Sequence, residues 1–234
     1  MGFSDTVESP GLVRSDLESG AINKPRVVIA DDHRLFLEGL KSIVEDHCEI
    51  VASVTDGREL VSVTAKLTPD IIFLDVAMPL LNGIEAARQI KRMNARIKII
   101  VVTMQLSRDY VREAFEAGAS GYVLKQAAAS ELLAALRDVQ QGRFFVSPLI
   151  ADRFLGRSLT PDEDPSKLFT ALTPRQREVL QLVAEGKSAK EIAALLFISV
   201  KTVEFHKKHL MEELNLRSSA ELVRYAVEHG WVAS

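Results

Sequence analysis

Five polar side chains, each placed just after a short apolar run, could together bind a metal ion and a phosphoryl group. Carboxylate oxygens are the hard ligands that Mg²⁺ prefers, and an Asp carboxylate can also attack a phosphoryl group. An ammonium and a hydroxyl can stabilise the transferring phosphoryl oxygens. The side chains therefore favour metal-assisted phosphoryl chemistry. They are Asp31, Asp32, Asp75, Thr103 and Lys125.

The apolar runs predict how these side chains come together. They are typical of buried strands in a parallel sheet, because helical segments lie between them. Parallel strands bring their carboxyl ends to one edge, where open α/β sheets bind ligands. We therefore expect three carboxylates, a hydroxyl and an ammonium at that edge. In chain order the runs are 27–30, 71–74, 99–102 and 121–124.

The segment from residue 25 to residue 142 repeats a strand–helix pattern five times. Helix start signals appear where Asp56 precedes Glu59 and where Asn82 precedes Glu85, at the spacing of an N-cap and its third residue. The pattern predicts a doubly wound, flavodoxin-like α/β fold with a five-stranded parallel sheet and a final helix at 130–140. The predicted strands are 26–31, 49–54, 70–75, 97–103 and 120–124.

The chain becomes wholly helical after a polar, proline-containing segment at 158–166. Capping residues at Thr173, Ser188, Ser199 and Ser218 predict an all-α domain of four helices. We expect these helices at about 174–185, 188–196, 199–214 and 218–229. The predicted organisation is a flexible tail at 1–24, an α/β domain at 25–142, a linker at 143–169 and a helical domain at 170–234.

The second and third of these helices fit a helix-turn-helix, whose second helix could enter the major groove of DNA. That helix has an apolar stripe containing Val203 and Leu210, and a separate polar face. An ordinary amphipathic helix is the alternative, and charge favours it, because residues 171–234 hold nine Lys or Arg against eight Asp or Glu. The polar face contains Lys201, Glu204, Phe205 and Lys208.

Composition restricts the class of protein further. The 234 residues are 47% hydrophobic with a net charge of −3, as expected for a globular protein without a general bias toward polyanions. No apolar run approaches the roughly 20 residues of a membrane span, and the N-terminus resembles no signal peptide. The single cysteine, Cys48, excludes an intrachain disulfide and is expected to be buried. These features favour a cytoplasmic protein that does not insert into membranes.

The segment 27–142 resembles a response-regulator receiver domain. The resemblance is carried by the Asp31-Asp32-His33 triplet after the first strand, by Asp75 through Pro79 with Asn82-Gly83, by Thr103, by 117–122 and by Lys125. It implies that Asp75 is the phosphoacceptor. It also implies that Asp32, Asp75 and the Ala77 carbonyl bind Mg²⁺, with Asp31 helping through water. Thr103 and Tyr122 would be the switch pair, and Lys125 would contact the phosphoryl group.

The segment 170–232 looks like a LuxR-type helix-turn-helix domain. The matching pieces are 172–180, 186–193 and 199–206. With a receiver in front, the chain resembles the NarL/FixJ subfamily of response regulators. The resemblance implies base contacts from Glu204, Phe205 and Lys208, and a dimer surface on the last helix, including Tyr225 and Trp231. It implies phosphate contacts from Lys187, Lys190, Lys201 and Thr202.

We therefore expect a two-component response regulator rather than an enzyme. A sensor histidine kinase would phosphorylate Asp75 in a Mg²⁺-dependent reaction, and the protein would bind double-stranded DNA as a homodimer. One alternative is a phosphohydrolase with an Asp nucleophile, but its usual second Asp is replaced by Ala77. A nucleotide-binding enzyme is disfavoured because no Gly-rich loop follows the first strand. A protein-interaction module that lacks DNA binding is the other alternative.

Overall fold

A computed structural model describes residues 24–155 and 172–228. Its N-terminal part is a parallel sheet with the strand order β2-β1-β3-β4-β5-β6. The central strands β1, β3, β4 and β5 are buried almost throughout, which explains why their sequences are continuous apolar runs. The strands are β1 (Arg26–Ala30), β2 (Glu49–Val54), β3 (Ile71–Leu74), β4 (Lys98–Thr103), β5 (Gly121–Leu124) and β6 (Phe145–Val146).

Helices cover both faces of the sheet and create two hydrophobic cores. One core joins the sheet to α1 and α5, through residues such as Leu40 and Leu136. The other joins it to the remaining helices, through residues such as Leu60 and Ile90. This is the predicted doubly wound fold. The helices are α1 (Arg34–Val44), α2 (Gly57–Leu67), α3 (Gly83–Met93), α4 (Arg108–Glu116), α5 (Ala129–Gln140) and α6 (Pro148–Leu155).

The sheet has six strands where the sequence predicts five. β6 pairs with β5 in parallel, with Tyr122 opposite Val146. The helix α6 follows and buries Ile150 to 1% exposure in the core that contains Tyr122. Both elements lie within the range predicted as linker. A strand of two residues and a helix of eight carry too little periodicity to be recognised from the sequence.

The C-terminal part contains four helices, as predicted, and their start signals are confirmed in detail. Thr173 and Ser188 each begin a helix with a complete capping box, and the Ser199 side chain accepts a hydrogen bond from Thr202 N. A separate core includes Leu180, Val203 and Leu210. The helices are α7 (Pro174–Ala184), α8 (Ala189–Leu196), α9 (Val200–Glu213) and α10 (Ser219–Glu228).

The two parts of the chain contact each other directly. Side chains of α7 bond to α3 and to residues 76–82, which we call the β3–α3 loop. Arg177 Nε lies 3.3 Å from Glu85 Oε2, and Gln89 Nε2 donates to Glu178 Oε1 over 3.2 Å. Arg58 of α2 donates to the Leu195 carbonyl at 2.9 Å, near the end of α8. The interface therefore involves α7 and α8.

Two expectations concern the membrane and the cysteine. No helix within 24–155 or 172–228 has both the length and the apolar character of a membrane span. Cys48 is 3% exposed, as predicted, and packs in the core with α1 and α5. Burial raises the pKa of its thiol to about 11, partly offset by the charge of Lys24.

Candidate phosphorylation site and DNA-binding face

The predicted carboxylates converge at the carboxyl edge of the sheet. Possible ligand atoms of Asp31, Asp32, His33 and Asp75 all lie within 4.8 Å of one another. Asp31 and Asp75 are 1% and 2% exposed, so two negative side chains share a nearly dry site. One Asp32 oxygen, Oδ1, is buried and accepts no hydrogen bond of good geometry, although His33 Nδ1 lies 2.7 Å from it. These hard oxygen donors suit a divalent cation.

Lys125 joins the two buried carboxylates. Its Nζ atom lies 2.7 Å from Asp31 Oδ2 and 2.7 Å from Asp75 Oδ2. The Lys125 side chain is only 7% exposed, and its ammonium lies 4.8 Å from the centre of the Phe36 ring. In this arrangement Lys125 compensates a charge that a low-dielectric site could not otherwise hold. The sequence prediction that Lys125 lies beside Asp75 agrees with these distances.

The electrostatics of the site follow from burial and from this pairing. Burial raises the pKa of Asp75, and the neighbouring charge of Asp31 adds to the rise, while Lys125 opposes it. Burial alone would lower the pKa of Lys125, but its bonds to Asp75 and Asp31 outweigh burial and raise that pKa. Lys125 is therefore positively charged at neutral pH in this arrangement.

Thr103 and Tyr122 occupy neighbouring strands beside the acidic cluster. Thr103 is 1% exposed at the end of β4, and its hydroxyl accepts a hydrogen bond from Gln105 N at 3.3 Å. Tyr122 is fully buried in β5, and its hydroxyl donates to the Gln105 carbonyl at 2.9 Å. Burial raises the pKa of Tyr122, so the phenol is neutral. The ring of Tyr122, the expected partner of Thr103 in the switch, therefore lies inside the domain.

The β3–α3 loop begins directly after Asp75 and contains Ala77. The Val76 amide donates to Asp75 Oδ1 at 2.7 Å, which fixes the carboxylate. The Asn82 side chain caps α3 by accepting from Glu85 N, as predicted. Leu80 has a positive φ of 65°, a conformation that costs free energy in a residue other than glycine.

The predicted DNA-binding residues form an exposed face of the helical domain. Lys190, Lys201, Glu204 and Lys208 are exposed, while Lys187 and Thr202 are half-buried. Phe205 is 57% exposed, and its ring lies 4.4 Å from the ring of His209. Val203 and Leu210 on the opposite stripe are fully buried. The charged face of α9 and its apolar stripe are thus separated as predicted. The interface with the α/β part does not cover the charged face.

Only some residues of the last helix are accessible for the predicted dimer contact. Leu222 and Ala226 are fully buried in the helical domain, so they serve its own core. Val223 and Tyr225 are half-buried. Trp231 lies outside the described residues.

The sequence does not predict the roles of three residues around the acidic cluster. His33 was seen only as part of a motif, yet it contacts Asp32. Phe36 was not singled out, although it packs on Lys125. Gln181 of α7 was not predicted to reach the β3–α3 loop, because contacts between separate domains leave no periodic signal. The one signal in the sequence is that Gln181 is polar although it lies among the apolar residues of α7.

Comparison with known proteins identifies both parts of the chain. Residues 27–137 match the family model of the response regulator receiver domain. Residues 170–226 match the family model of bacterial regulatory proteins of the luxR family. The two matches correspond to the α/β part and to the helical part of the structure.

Relatives with the same organisation cover almost the whole chain. The transcriptional regulatory protein MctR of Rhizobium johnstonii is 33% identical over 212 residues, which are 90% of this chain and 96% of MctR. The oxygen regulatory protein NreC of Staphylococcus epidermidis is 36% identical over 211 residues, 87% of this chain and 97% of NreC.

A solved structure of the RcsB response regulator of Salmonella typhimurium is 30% identical, with a TM-score of 0.62. The match covers 88% of this chain and 98% of RcsB. Together with the acidic cluster and the helix-turn-helix, these matches establish the family. The chain is a two-component response regulator of the NarL/FixJ type, a transcription regulator in which a receiver domain precedes a LuxR-type DNA-binding domain.

Proposed function

We propose that a sensor histidine kinase phosphorylates this protein on Asp75 in a Mg²⁺-dependent reaction. The observation that carries the proposal is the position of Asp75, held by Lys125 and the Val76 amide inside a cluster of three carboxylates. Asp32, Asp75 and the Ala77 carbonyl would hold the cation, with Asp31 acting through water. When bound, Mg²⁺ would neutralise negative charge on the carboxylates and on the phosphoryl oxygens.

The side chains of the site divide the reaction between them. Asp75 Oδ attacks phosphorus, an O–P bond forms, and the P–N bond to the kinase histidine breaks. Lys125 donates hydrogen bonds to the phosphoryl oxygens, which replace part of its contact with Asp75. The Thr103 hydroxyl then donates to the phosphoryl group, and this contact stabilises the inward position of Tyr122. Phosphorylation thereby shifts a two-state equilibrium in the receiver.

Phosphate-affinity electrophoresis after treatment with acetyl phosphate tests the assigned phosphoacceptor. We expect wild type to show a retarded band that requires Mg²⁺, and Asp75→Ala to show none. Asp46→Ala is a matched control, because Asp46 is an exposed Asp of the same domain outside the cluster. A retarded band that persists in Asp75→Ala would show that the phosphoacceptor is another residue.

We further propose that the phosphorylated protein binds double-stranded DNA as a homodimer in the cytoplasm. Solved structures of RcsB, the relative described above, include a DNA complex and two dimers bound to two parallel DNAs. In this chain, Glu204 can accept from a cytosine amino group, Phe205 can contact a thymine methyl group, and Lys208 can reach a guanine. Phosphate contacts would come from Lys187, Lys190, Lys201 and Thr202.

Replacing Lys201 by Ala is expected to weaken binding to specific and unrelated DNA by a similar factor. Lys201 is exposed in the first turn of α9, where a phosphate contact gives affinity without reading sequence. The slope of log K against log salt should fall in magnitude by about 1. Lys66→Ala, which removes one exposed charge from α2, should leave the slope unchanged. An unchanged slope in Lys201→Ala would remove Lys201 from the phosphate contacts.

The matches to transcriptional response regulators rule out the phosphohydrolase alternative, because that family consists of regulators and not of enzymes. Ala77 stands where such an enzyme places its general acid, and a methyl group transfers no proton. Steady turnover of a phosphomonoester by the purified protein would contradict this assignment. A single round of phosphorylation on Asp75 favours the switch.

A further inference from the structure

The loop that follows the phosphoacceptor is held by a residue of the DNA-binding domain. Gln181 of α7 is fully buried although its side chain is polar. Its Oε1 atom accepts from Asn82 N at 2.6 Å, and its Nε2 atom donates to the Met78 carbonyl at 2.7 Å. The side chain therefore joins the two halves of the β3–α3 loop. Met78 and Asn82 are themselves buried, so in this arrangement water cannot replace Gln181.

The side chain of Glu185, the residue directly after α7, strengthens this contact. Glu185 Oε1 accepts from Leu80 N at 2.9 Å and from Gln181 Nε2 at 2.8 Å. The Leu80 side chain packs against the core of the helical domain, which compensates its strained backbone. Three backbone groups of the loop, on Met78, Leu80 and Asn82, are thus bound by the other domain.

The bound segment lies beside the carbonyl that would serve as a metal ligand. Ala77 directly precedes Met78, whose carbonyl receives the Gln181 hydrogen bond. On the other side, Val76 bonds to Asp75 and accepts from Gly83 N at 2.9 Å. Ala77 therefore lies between Val76 and Met78, which are both held by hydrogen bonds. An ordered carbonyl needs less loss of conformational entropy when a ligand binds it.

The contact does not obstruct the DNA-binding face. Lys201, Phe205 and Lys208 remain exposed while α7 and α8 contact the receiver. Tyr122 is in its inward position in the same structure. The docked chain thus combines an available DNA-binding face with the inward switch residue, so the interface is compatible with the active form of both domains.

We propose that Gln181 is a positioning residue for the phosphorylation site, supplied by the DNA-binding domain. By holding the β3–α3 loop, it increases the affinity of the acidic cluster for Mg²⁺ and the rate at which Asp75 is phosphorylated. Since coupling between sites is reciprocal, Mg²⁺ bound in the cluster strengthens docking of the helical domain by the same factor. This inference rests on the proposed function of the cluster, and it makes docking a part of activation.

Mg²⁺ titration of the full chain without phosphodonor tests the inference. The dissociation constant is measured by calorimetry for wild type and for Gln181→Leu, which keeps most of the side-chain volume but forms no hydrogen bonds. We expect Gln181→Leu to bind Mg²⁺ about 5-fold more weakly or more, the lower end of typical coupling between sites. Hydrogen exchange at the Leu80 and Asn82 amides should be faster in the variant, and Mg²⁺ should slow it in wild type.

Gln89→Leu is the matched control. It removes an interdomain hydrogen bond of the same residue type from α3 without touching the loop, and its dissociation constant should stay within about 2-fold of wild type, below the range of typical coupling. Cooperative unfolding and retention on unrelated DNA establish that each variant is folded. If Gln181→Leu fails to fold, Glu185→Ala carries the same test, because Glu185 is half-buried and also binds the loop.

The outcomes separate this inference from the proposed function. Weaker Mg²⁺ binding in Gln181→Leu with normal binding in Gln89→Leu supports it. Equal or tighter binding in folded Gln181→Leu overturns it and leaves the proposed function intact. If wild type itself binds no Mg²⁺, the proposed function fails and the inference fails with it.

Discussion

Replacement of Lys125 by Met is expected to destabilise the metal-free protein by about 3–5 kcal/mol, the usual cost of removing one partner of a buried ion pair. Lys125 Nζ lies 2.7 Å from both Asp31 and Asp75, and no other Lys or Arg side chain pairs with these two carboxylates among the residues described. His33 Nδ1 lies farther away, at 3.4 Å from Asp31 Oδ1. Without the ammonium, two nearly dry carboxylates face each other. Urea unfolding in the presence of EDTA measures the loss.

Mg²⁺ should restore more stability to Lys125→Met than to wild type. A divalent cation in the cluster replaces the missing positive charge, and binding to the folded state alone raises the free energy of unfolding. Phosphorylation by acetyl phosphate should nevertheless slow by about 10²-fold or more, because the variant lacks a donor to the phosphoryl oxygens. In Lys125→Met, Mg²⁺ should therefore restore stability but not the rate of phosphorylation.

Lys98→Met is the control for this experiment. Lys98 is half-buried in β4 and donates to the carbonyls of Val139 and Gln140, far from the acidic cluster. Its loss removes two hydrogen bonds and should cost about 2 kcal/mol, at about 1 kcal/mol for each, with no special response to Mg²⁺. If Lys125→Met is as stable as Lys98→Met in EDTA, the two carboxylates do not depend on Lys125.

The edge of the sheet could be predicted from the sequence because its signals are local. Each apolar run marks a buried strand, and the residue after each run must lie at the carboxyl edge. Asp31, Asp75 and Lys125 meet there for that reason, and the structure brings their polar atoms within hydrogen-bonding distance. The starts of α2, α3, α7, α8 and α9 were equally predictable, since an N-cap and its third residue are close in sequence. The starts of α1 and α5 carry no such signal, because His33 and Ala128 form no side-chain cap.

The strand β6 and the role of Gln181 depend on contacts between distant parts of the chain, which leave no periodic pattern in the sequence. β6 forms only because Phe145 and Val146 find an open edge on β5, and two residues carry no periodicity. Gln181 is a polar residue on the buried side of α7, and the sequence of the helical domain alone offers no reason for a polar side chain there. Its partners, Met78 and Asn82, lie about a hundred residues earlier and offer backbone groups, which have no residue-type signature.

The position of Tyr122 shows a different limit. Its residue type and its place in β5 predict a switch residue by resemblance, but not the side on which the ring lies. In the structure the ring is buried against α6 and its hydroxyl bonds to Gln105. Ile150 and Val146, which come from the segment predicted as linker, belong to the same hydrophobic core as Tyr122. The surroundings of the ring therefore include residues from a segment in which the sequence predicts no strand or helix.

Replacement of Gly83 by Ala is expected to destabilise the receiver by about 3 kcal/mol and to impair phosphorylation of Asp75. A Cβ atom at Gly83 would lie 2.0 Å from the Asp75 carbonyl oxygen. The obstacle is backbone, so either α3 or the end of β3 must move, and overpacking of this kind costs up to about 3 kcal/mol. Because Gly83 N also bonds to the Val76 carbonyl, the displacement reaches the phosphorylation site directly.

Gly39→Ala provides the matched control for Gly83→Ala. Gly39 lies within α1, and a Cβ atom there would meet nothing within 4 Å. Since alanine is a better helix former, Gly39→Ala should stabilise the protein by about 0.5–1 kcal/mol. Urea unfolding and the rate of phosphorylation by acetyl phosphate are measured for both variants. If Gly83→Ala is as stable as Gly39→Ala, the β3–α3 loop moves to accept the methyl group at no cost in free energy. The close packing of α3 on Asp75 then does not constrain the site.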